Sequence, residues 1–352
     1  MARPLKAIVI GTNIGCAKHV AGLRGGGFEV TGLLGRDPAR TAERAAALAI
    51  PAAFASLEAA LDTDADAVVV ATPPQTHHPL TLAAIGAGKH VLCEKPFALD
   101  LAAAVEMRDA AQAAGLVGQV VHQLRWFEVP QAVQRLVASG ALGRPIHGTF
   151  LFDHVTAARG VGRLPDWWLH QEQGGGWLQN FASHGIDLVR FMLGEFEAVA
   201  ASLHADAGRG MSADDSYGLV FRLAGGMQGT MAGTCRARDA LDFSRIVGER
   251  ATVSFDGKAG AVTDDQGVRP LTAVADGAPA LTLAFGDKPV IHDPKHGAAE
   301  LAAMCRAFHD RIRDPAYHHP SVATFEDGVR HVAVIAAVLE AARSGRWIEI
   351  RT

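Results

Sequence analysis

Apolar residues in the first third of the chain come in short unbroken runs, and beyond that they tend to alternate with polar ones. Ala7-Ile8-Val9-Ile10, Ala67-Val68-Val69-Val70-Ala71 and His90-Val91-Leu92-Cys93 each predict a strand buried on both faces. Glu29–Leu34 and Val117–Val121 predict two more strands. Helical segments separate them. Cys16, Val20 and Leu23 share one face, Arg40–Leu48 is rich in alanine, Leu57–Leu61 is short, Pro79–Ala87 ends at Gly88, and Leu101–Ala114 closes the series. The order βαβαβ…β with short loops predicts a doubly wound parallel sheet over residues 1–122. From residue 123 the pattern changes. A helix over Gln131–Ser139 precedes the strand Ile146–Phe152, and Tyr217–Phe221 alternates as an antiparallel strand with one covered face does. A helix over Phe325–Ser344 sets Val332, Ile335 and Leu339 on one side, ends at Gly345 and leads into a strand at Trp347–Ile350. The fold expected is α/β: a doubly wound domain, 1–122, then an α+β domain, 123–352, with a mainly antiparallel open sheet.

Composition narrows the function classes. A chain of 352 residues suits two domains, and 49% hydrophobic against 20% charged residues allows a sizeable core. Net charge is -4 with no basic block, which argues against nucleic acid as a partner. No apolar run approaches the roughly 20 residues of a membrane span, and the first residues show neither a long apolar stretch nor a twin arginine. Cys16, Cys93, Cys235 and Cys305 lie far apart and in no metal-type spacing, so they are read as reduced thiols of a cytoplasmic protein, and no metal site is expected. His318-His319-Pro320-Ser321 lacks further ligands and reads as a loop before a helix.

Candidate chemistry gathers where predicted strands end. The first strand runs into Gly11-Thr12-Asn13-Ile14-Gly15-Cys16 and then a helix, the setting in which backbone N–H groups face a pyrophosphate. The loop departs from G-x-G-x-x-G: Asn13 stands at the second glycine, Cys16 at the third, and Gly15 is displaced by one. Asparagine tolerates left-handed geometry, so the turn survives, with a side chain that crowds the pyrophosphate approach. The second strand ends in Gly35-Arg36-Asp37-Pro38. A small residue followed by arginine suits a ribose 2′-phosphate better than a 2′-hydroxyl and tilts the cofactor from NAD toward NADP, while Asp37-Pro38 equally suits a helix cap. Glu94 and Lys95 stand at the end of the His90–Cys93 strand before Pro96. A lysine at a strand's carboxyl end can donate to a substrate oxygen, and burial moves its pKa toward the working range; a solvated ion pair is the plainer reading. In Gly174-Gly175-Gly176-Trp177-Leu178-Gln179-Asn180-Phe181-Ala182-Ser183-His184-Gly185-Ile186-Asp187 three glycines let the backbone come close to a ligand. A helix after Trp177 places Asn180 and His184 on one face and lets Asp187 orient the imidazole. Arg163-Leu164-Pro165-Asp166-Trp167-Trp168-Leu169-His170 offers indole faces for sugar C–H surfaces or for packing. Ala213–Ser216 reads as a turn before a strand, and residues 265–286 show no site.

Three linked motifs, Ala71-Thr72-Pro73 with His77, Gly88-Lys89-His90-Val91, and Glu94-Lys95-Pro96, resemble in order and spacing those of the Gfo/Idh/MocA family of nicotinamide-dependent oxidoreductases. The resemblance continues through Arg125-Trp126-Phe127 with Pro130, the 174–187 run, Gly248–Val253 and the C-terminal helix and strand. It implies that the first domain is of the Rossmann type and binds NAD or NADP through Gly11, Thr12, Asn13, Ile14, Gly15, Arg36, Thr72, Pro73, His77, Glu94 and Lys95. It further implies a cis Lys95–Pro96 bond and Lys95 between nicotinamide and substrate. Some members pair a similar loop with a histidine at the place of His19, which by itself reads as a surface or packing residue. Lys95 and His184 are then the catalytic pair, with Arg125, Trp168, Asn180 and Asp187 toward substrate. Asn180 stands where many members have Asp and Ala182 where they have Gly, which weakens an Asp/His mechanism. The expected activity is hydride transfer between nicotinamide and a sugar, polyol or related cyclic hydroxyl or carbonyl compound, in a homodimer or homotetramer. The alternatives are a non-redox, NAD-dependent glycoside hydrolase and a cofactor-binding protein with little catalysis.

Overall fold

The computed structural model describes residues 3–155, 164–206, 210–276 and 297–351; Arg163 and residues 277–286 lie outside them. The chain forms two compact units, Met1–Trp126 with His292–Val332, and Phe127–Ile291 with Ala333–Thr352.

The first unit is built on six parallel strands: β1 (Leu5–Ile10), β2 (Phe28–Leu34), β3 (Ala52–Phe54), β4 (Ala67–Val70), β5 (His90–Cys93) and β6 (Gly118–Val120). Their order across the sheet is β3-β2-β1-β4-β5-β6. The order in which strands are added therefore reverses between β1 and β4, and ligands of open α/β sheets bind outside the strand ends at such a point. Ala7, Ile8, Val9 and Val68–Val70 are fully buried, because helices cover both faces. These are α1 (Val20–Gly25), α2 (Pro38–Ala47), α3 (Leu57–Leu61), α4 (His77–Gly86) and α5 (Leu101–Ala113). Asp37, Ser56 and Asp100 cap α2, α3 and α5 through side-chain oxygens that accept N–H bonds. The short edge strand β3, next to β2, is absent from the sequence-based expectation.

The second unit begins with α6 (Glu128–Ala138), three residues ahead of the expected start, with Pro130 in the first turn where its missing N–H costs nothing. Then come β7 (Pro145–Asp153), α7 (Ser183–Leu193), β8 (Phe196–His204), β9 (Ser216–Leu223), β10 (Gln228–Thr234), β11 (Leu241–Gly248), β12 (Thr252–Phe255), β13 (Gly260–Asp264), β14 (Gly267–Pro270) and α8 (Leu271–Asp276). With β15 (Ile348–Glu349) they make a nine-stranded sheet, β14-β13-β12-β11-β7-β10-β9-β8-β15, antiparallel except where β7 runs parallel to β10. Phe150, Leu219, Phe221, Met231 and Ile246 point to a core supplied by α6, α7 and residues 334–341.

Two helices remain, α9 (Ala298–Arg313) and α10 (Phe325–Ser344). A single cut after residue 122 assigns both to the second domain, but α9 and the start of α10 belong to the first unit. Leu301, Met304, Cys305 and Phe308 of α9 join the core beneath β1 and β2. α9 crosses α1 at glycines: a Cβ at Gly26 would lie 2.6 Å from that of Cys305. A chain that leaves a domain and later returns leaves no mark at the crossing, so a linear reading misses it. Phe308 is fully buried and stacks on Phe28 at 5.7 Å. Phe308→Ala is expected to destabilise the first unit by about 3–5 kcal/mol, read as a lower urea midpoint. Val268→Ala, at a residue 72% exposed, serves as the control and should leave the midpoint in place.

Candidate active site

At the carboxyl end of β1, Gly11 adopts φ +128°, and a Cβ there would fall 2.1 Å from the carbonyl oxygen of Ala71 after β4. Only glycine permits this approach, which brings the two loops of the switch point together. Asn13 is exposed, and Ala49 is the single non-glycine residue at positive φ among the described residues. Asn13 therefore needs no left-handed tolerance. Its side chain turns away to α2, where Oδ1 accepts from Arg40 Nη2 at 2.7 Å. Gly15 opens a wide π-helical turn, Gly15–His19, before α1, and a Cβ on it would lie 2.8 Å from Val9 Cγ1. The extra residue of the π turn absorbs the one-place displacement of this glycine, which still lets helix and strand pack closely. Thr12, Asn13 and Ile14 stay accessible at the sheet edge, beside helix-start N–H groups that lack intrahelical acceptors. These residues fit a dinucleotide pyrophosphate. Thr72 and Pro73 follow β4 on the same edge, and Arg36 is exposed after β2.

At the end of β5, Glu94 is buried, and its Oε1 lies 2.7 Å from His19 Nε2, while Oε2 accepts the Lys95 N–H at 3.1 Å. His19 is thus no surface residue: it is 1% exposed and ties α1's entry to β5. Burial by itself would raise the Glu94 carboxyl. The hydrogen bond and charge of His19, with the charge and amide of Lys95, outweigh it and hold the pKa below the usual value. Lys95 is half-buried. Burial, with Lys18 nearby, draws its pKa down against the opposing pull of Glu94, in the direction that makes a lysine amine usable as acid or base. Lys95–Pro96 is cis. His77 is fully buried with its ring nitrogens 2.8 Å from the carbonyl oxygens of Pro96 and Thr72. It fastens the loop after β5 to the loop after β4 and is a positioning residue rather than a cofactor ligand. Arg125, expected at the substrate, is 4% exposed and donates to Asp327 Oδ1 at 3.0 Å and to the Val322 carbonyl at 3.3 Å, so it anchors the segment leading into α10.

In the second unit the glycine run serves its own packing. A Cβ on Gly175 would fall 2.5–2.6 Å from the carbonyl oxygens of Trp167, Trp168 and His170, and one on Gly176 would lie 2.2 Å from Asp214 Oδ1. The glycines thus close over the tryptophan turn and an aspartate. Asn180 is buried, and its amide donates to the carbonyls of Gly176 at 2.9 Å and Gly174 at 3.3 Å. A carboxylate in that position would face two carbonyl oxygens, so the amide suits this loop. A π turn, Leu178–Ala182, precedes α7. His184 in the first turn of α7 is 8% exposed and lies edge-on to Phe181, with ring centres 6.0 Å apart. Asp187 lies 3.9 Å from Arg190, whose guanidinium takes Glu195 in two 2.8 Å bonds. Trp168 is half-buried, edge-on to Trp167 at 6.0 Å.

Asp214, expected only as part of a turn, holds this segment at its start. Its Oδ2 accepts from Leu178 N at 2.8 Å, and its carbonyl accepts from Trp177 N at 2.8 Å. An acid two residues before an alternating strand, downstream of a glycine run, was the available signal. Burial dominates its titration and raises its pKa to about 7.

Among the described residues no group of three or more His, Cys, Asp or Glu is placed to hold a metal ion, and no helix is long and apolar enough to cross a membrane. Parallel sheet order, glycine turn at the switch point and a buried acid beside a strand-end lysine define a dinucleotide-binding oxidoreductase. Comparison with known proteins agrees. Residues 5–122 match the family described as "Oxidoreductase family, NAD-binding Rossmann fold", and residues 131–254 match the "GFO/IDH/MocA C-terminal domain". The chain is 32% identical over 342 residues to the 1,5-anhydro-D-fructose reductase of Ensifer adhaerens, covering 95% of this chain and 94% of that one. It is 27% identical to the levoglucosan dehydrogenase of Pseudarthrobacter phenanthrenivorans, covering 82% and 81%. A solved levoglucosan dehydrogenase in complex with NADH and levoglucosan shares the fold with TM-score 0.84 at 22% identity, over 99% of this chain and all of that one. The chain belongs to the Gfo/Idh/MocA oxidoreductase family.

Asp214 gives a pH test of the helix support. Its folded pKa lies above the unfolded carboxylate value, so stability is expected to fall as pH rises from about 4 to about 7 and to level off above that. Asp214→Asn keeps an acceptor for Leu178 N and removes the titration. Its urea midpoint should exceed that of the native protein at pH 8 and converge with it toward pH 4. Equal midpoints at both pH values would refute the buried, raised carboxyl.

Proposed function

We propose that this oxidoreductase interconverts a hydroxyl and a carbonyl on a sugar, polyol or related cyclic compound. The observation that carries the proposal is Lys95 at the end of β5, half-buried, its pKa drawn down and its backbone pinned through Glu94 to His19. The names of the two relatives above, a 1,5-anhydro-D-fructose reductase and a levoglucosan dehydrogenase, support the substrate class. The nicotinamide, when bound, supplies or accepts the hydride. The chain does the rest. Lys95 donates a hydrogen bond to the reacting oxygen, His184 takes or returns its proton, and Trp168 offers an indole face to sugar C–H bonds. The Asn180 amide donates to the Gly174 and Gly176 carbonyls, a structural reason for an amide there that supports this reading.

The acid nearest the β2 end is engaged elsewhere: Asp37 Oδ1 accepts from Arg40 N at 3.1 Å and caps α2. With exposed Arg36 and Arg40 beside it, the edge favours NADP over NAD. We further infer a cytoplasmic homodimer or homotetramer. All four cysteines are buried thiols, and the sheet face opposite the helices presents Leu151, Val220 and Phe243 at accessible positions. Sedimentation of the native protein as a monomer would refute the assembly.

The function is tested by the absorbance of reduced nicotinamide with NAD and NADP over a panel that includes 1,5-anhydro-D-fructose, levoglucosan and inositols. Lys95→Ala and His184→Ala should each lower turnover by about 10²–10⁴-fold. Full turnover in both variants would sink the assignment. Free sugar released from a glycoside without accumulated reduced cofactor would replace it with glycoside hydrolysis.

A further inference from the structure

Asn13 occupies the place where a dinucleotide loop has its second glycine, and its side chain leaves the pyrophosphate edge to reach α2. Its Oδ1 accepts from Arg40 Nη2 at 2.7 Å across 27 residues of sequence. Both residues are exposed, so the bond contributes little to folding. What it does is restrict a long cationic side chain that would otherwise sample many rotamers.

The surroundings say what the held guanidinium faces. No acid fits at the strand end: a Cβ on Gly35 would lie 2.4 Å from Thr12 Cγ2 and 2.6 Å from Thr41 Oγ1. Asp37, two residues on, accepts the Arg40 N–H at Oδ1 as the cap of α2. Arg40 then opens onto a cleft of about 660 Å³ that Arg44, Glu43 and Cys16 also line. At this corner of such a sheet a nucleotide's ribose is received, and a guanidinium fork matches a phosphate monoester in geometry and charge.

We propose that Asn13 is a positioning residue for cofactor choice: it holds Arg40 ready for the ribose 2′-phosphate. The substitution that spoils the glycine fingerprint is then what prepares the chain for NADP. Preorganising Arg40 lowers the ordering cost when the phosphate binds. The inference rests on the NADP reading above, and one experiment separates the two.

Calorimetric titration of the intact protein with 2′,5′-ADP and with 5′-ADP reads the 2′-phosphate directly, without turnover. The native protein should prefer 2′,5′-ADP, and Arg40→Ala should lose about 10–100-fold in its affinity, with 5′-ADP little changed. Asn13→Ala and Asn13→Gly both remove the acceptor and should each lower the ratio of 2′,5′-ADP to 5′-ADP affinity about 3–10-fold, with a native urea midpoint showing that they fold. If Arg40→Ala loses the preference and the Asn13 variants keep it, the positioning role is wrong and the NADP reading stands. The positioning role is equally wrong if Asn13→Gly weakens binding and Asn13→Ala does not, because backbone freedom would then be the cause. A native protein with no preference for 2′,5′-ADP overturns both, whereas an Arg40→Ala variant that retains the preference overturns the positioning role and leaves the NADP reading to Arg36.

Discussion

The buried carboxylate of Glu94 is the constraint on which the cofactor-binding unit turns. An isolated charge at that depth would cost several kcal/mol or would neutralise itself. Here His19 from the first helical turn and the Lys95 amide bond its two oxygens. The pair joins the glycine loop after β1 to the strand end that carries Lys95, elements 75 residues apart in sequence. His77 adds a second tie from the loop after β4 to the carbonyl of Pro96. Three loops at one sheet edge are thereby held in mutual register by polar groups that have little other outlet.

The two glycine clusters answer to internal packing. Gly11 admits the Ala71 carbonyl, and Gly175 and Gly176 admit three carbonyls and the Asp214 carboxylate. In both places the side chains that depart from the family pattern, Asn13 and Asn180, have found partners within the chain. Asn13 accepts from Arg40, and Asn180 donates to glycine carbonyls. A departure from a motif is thus a rearrangement of hydrogen bonds before it is a loss of function. Amide chemistry is why asparagine serves in both, accepting at one site and donating at the other.

Strands and helices with a clear period were legible in the chain. Ala67–Val70, His90–Cys93, Leu57–Leu61 and Phe325–Ser344 fall where the apolar pattern puts them, because burial on one or two faces writes itself directly into spacing. The three linked motifs around Lys95 identified the family without any coordinates. Tertiary structure alone decided what each polar residue faces. His19 and Arg125 become buried anchors, His77 joins two loops, and Asp214 supports the helix of His184. It also decided that α9 returns to pack under β1 and β2. Periodicity records which side of an element is apolar. It does not record which distant element meets that side, nor which carbonyl a buried donor will find.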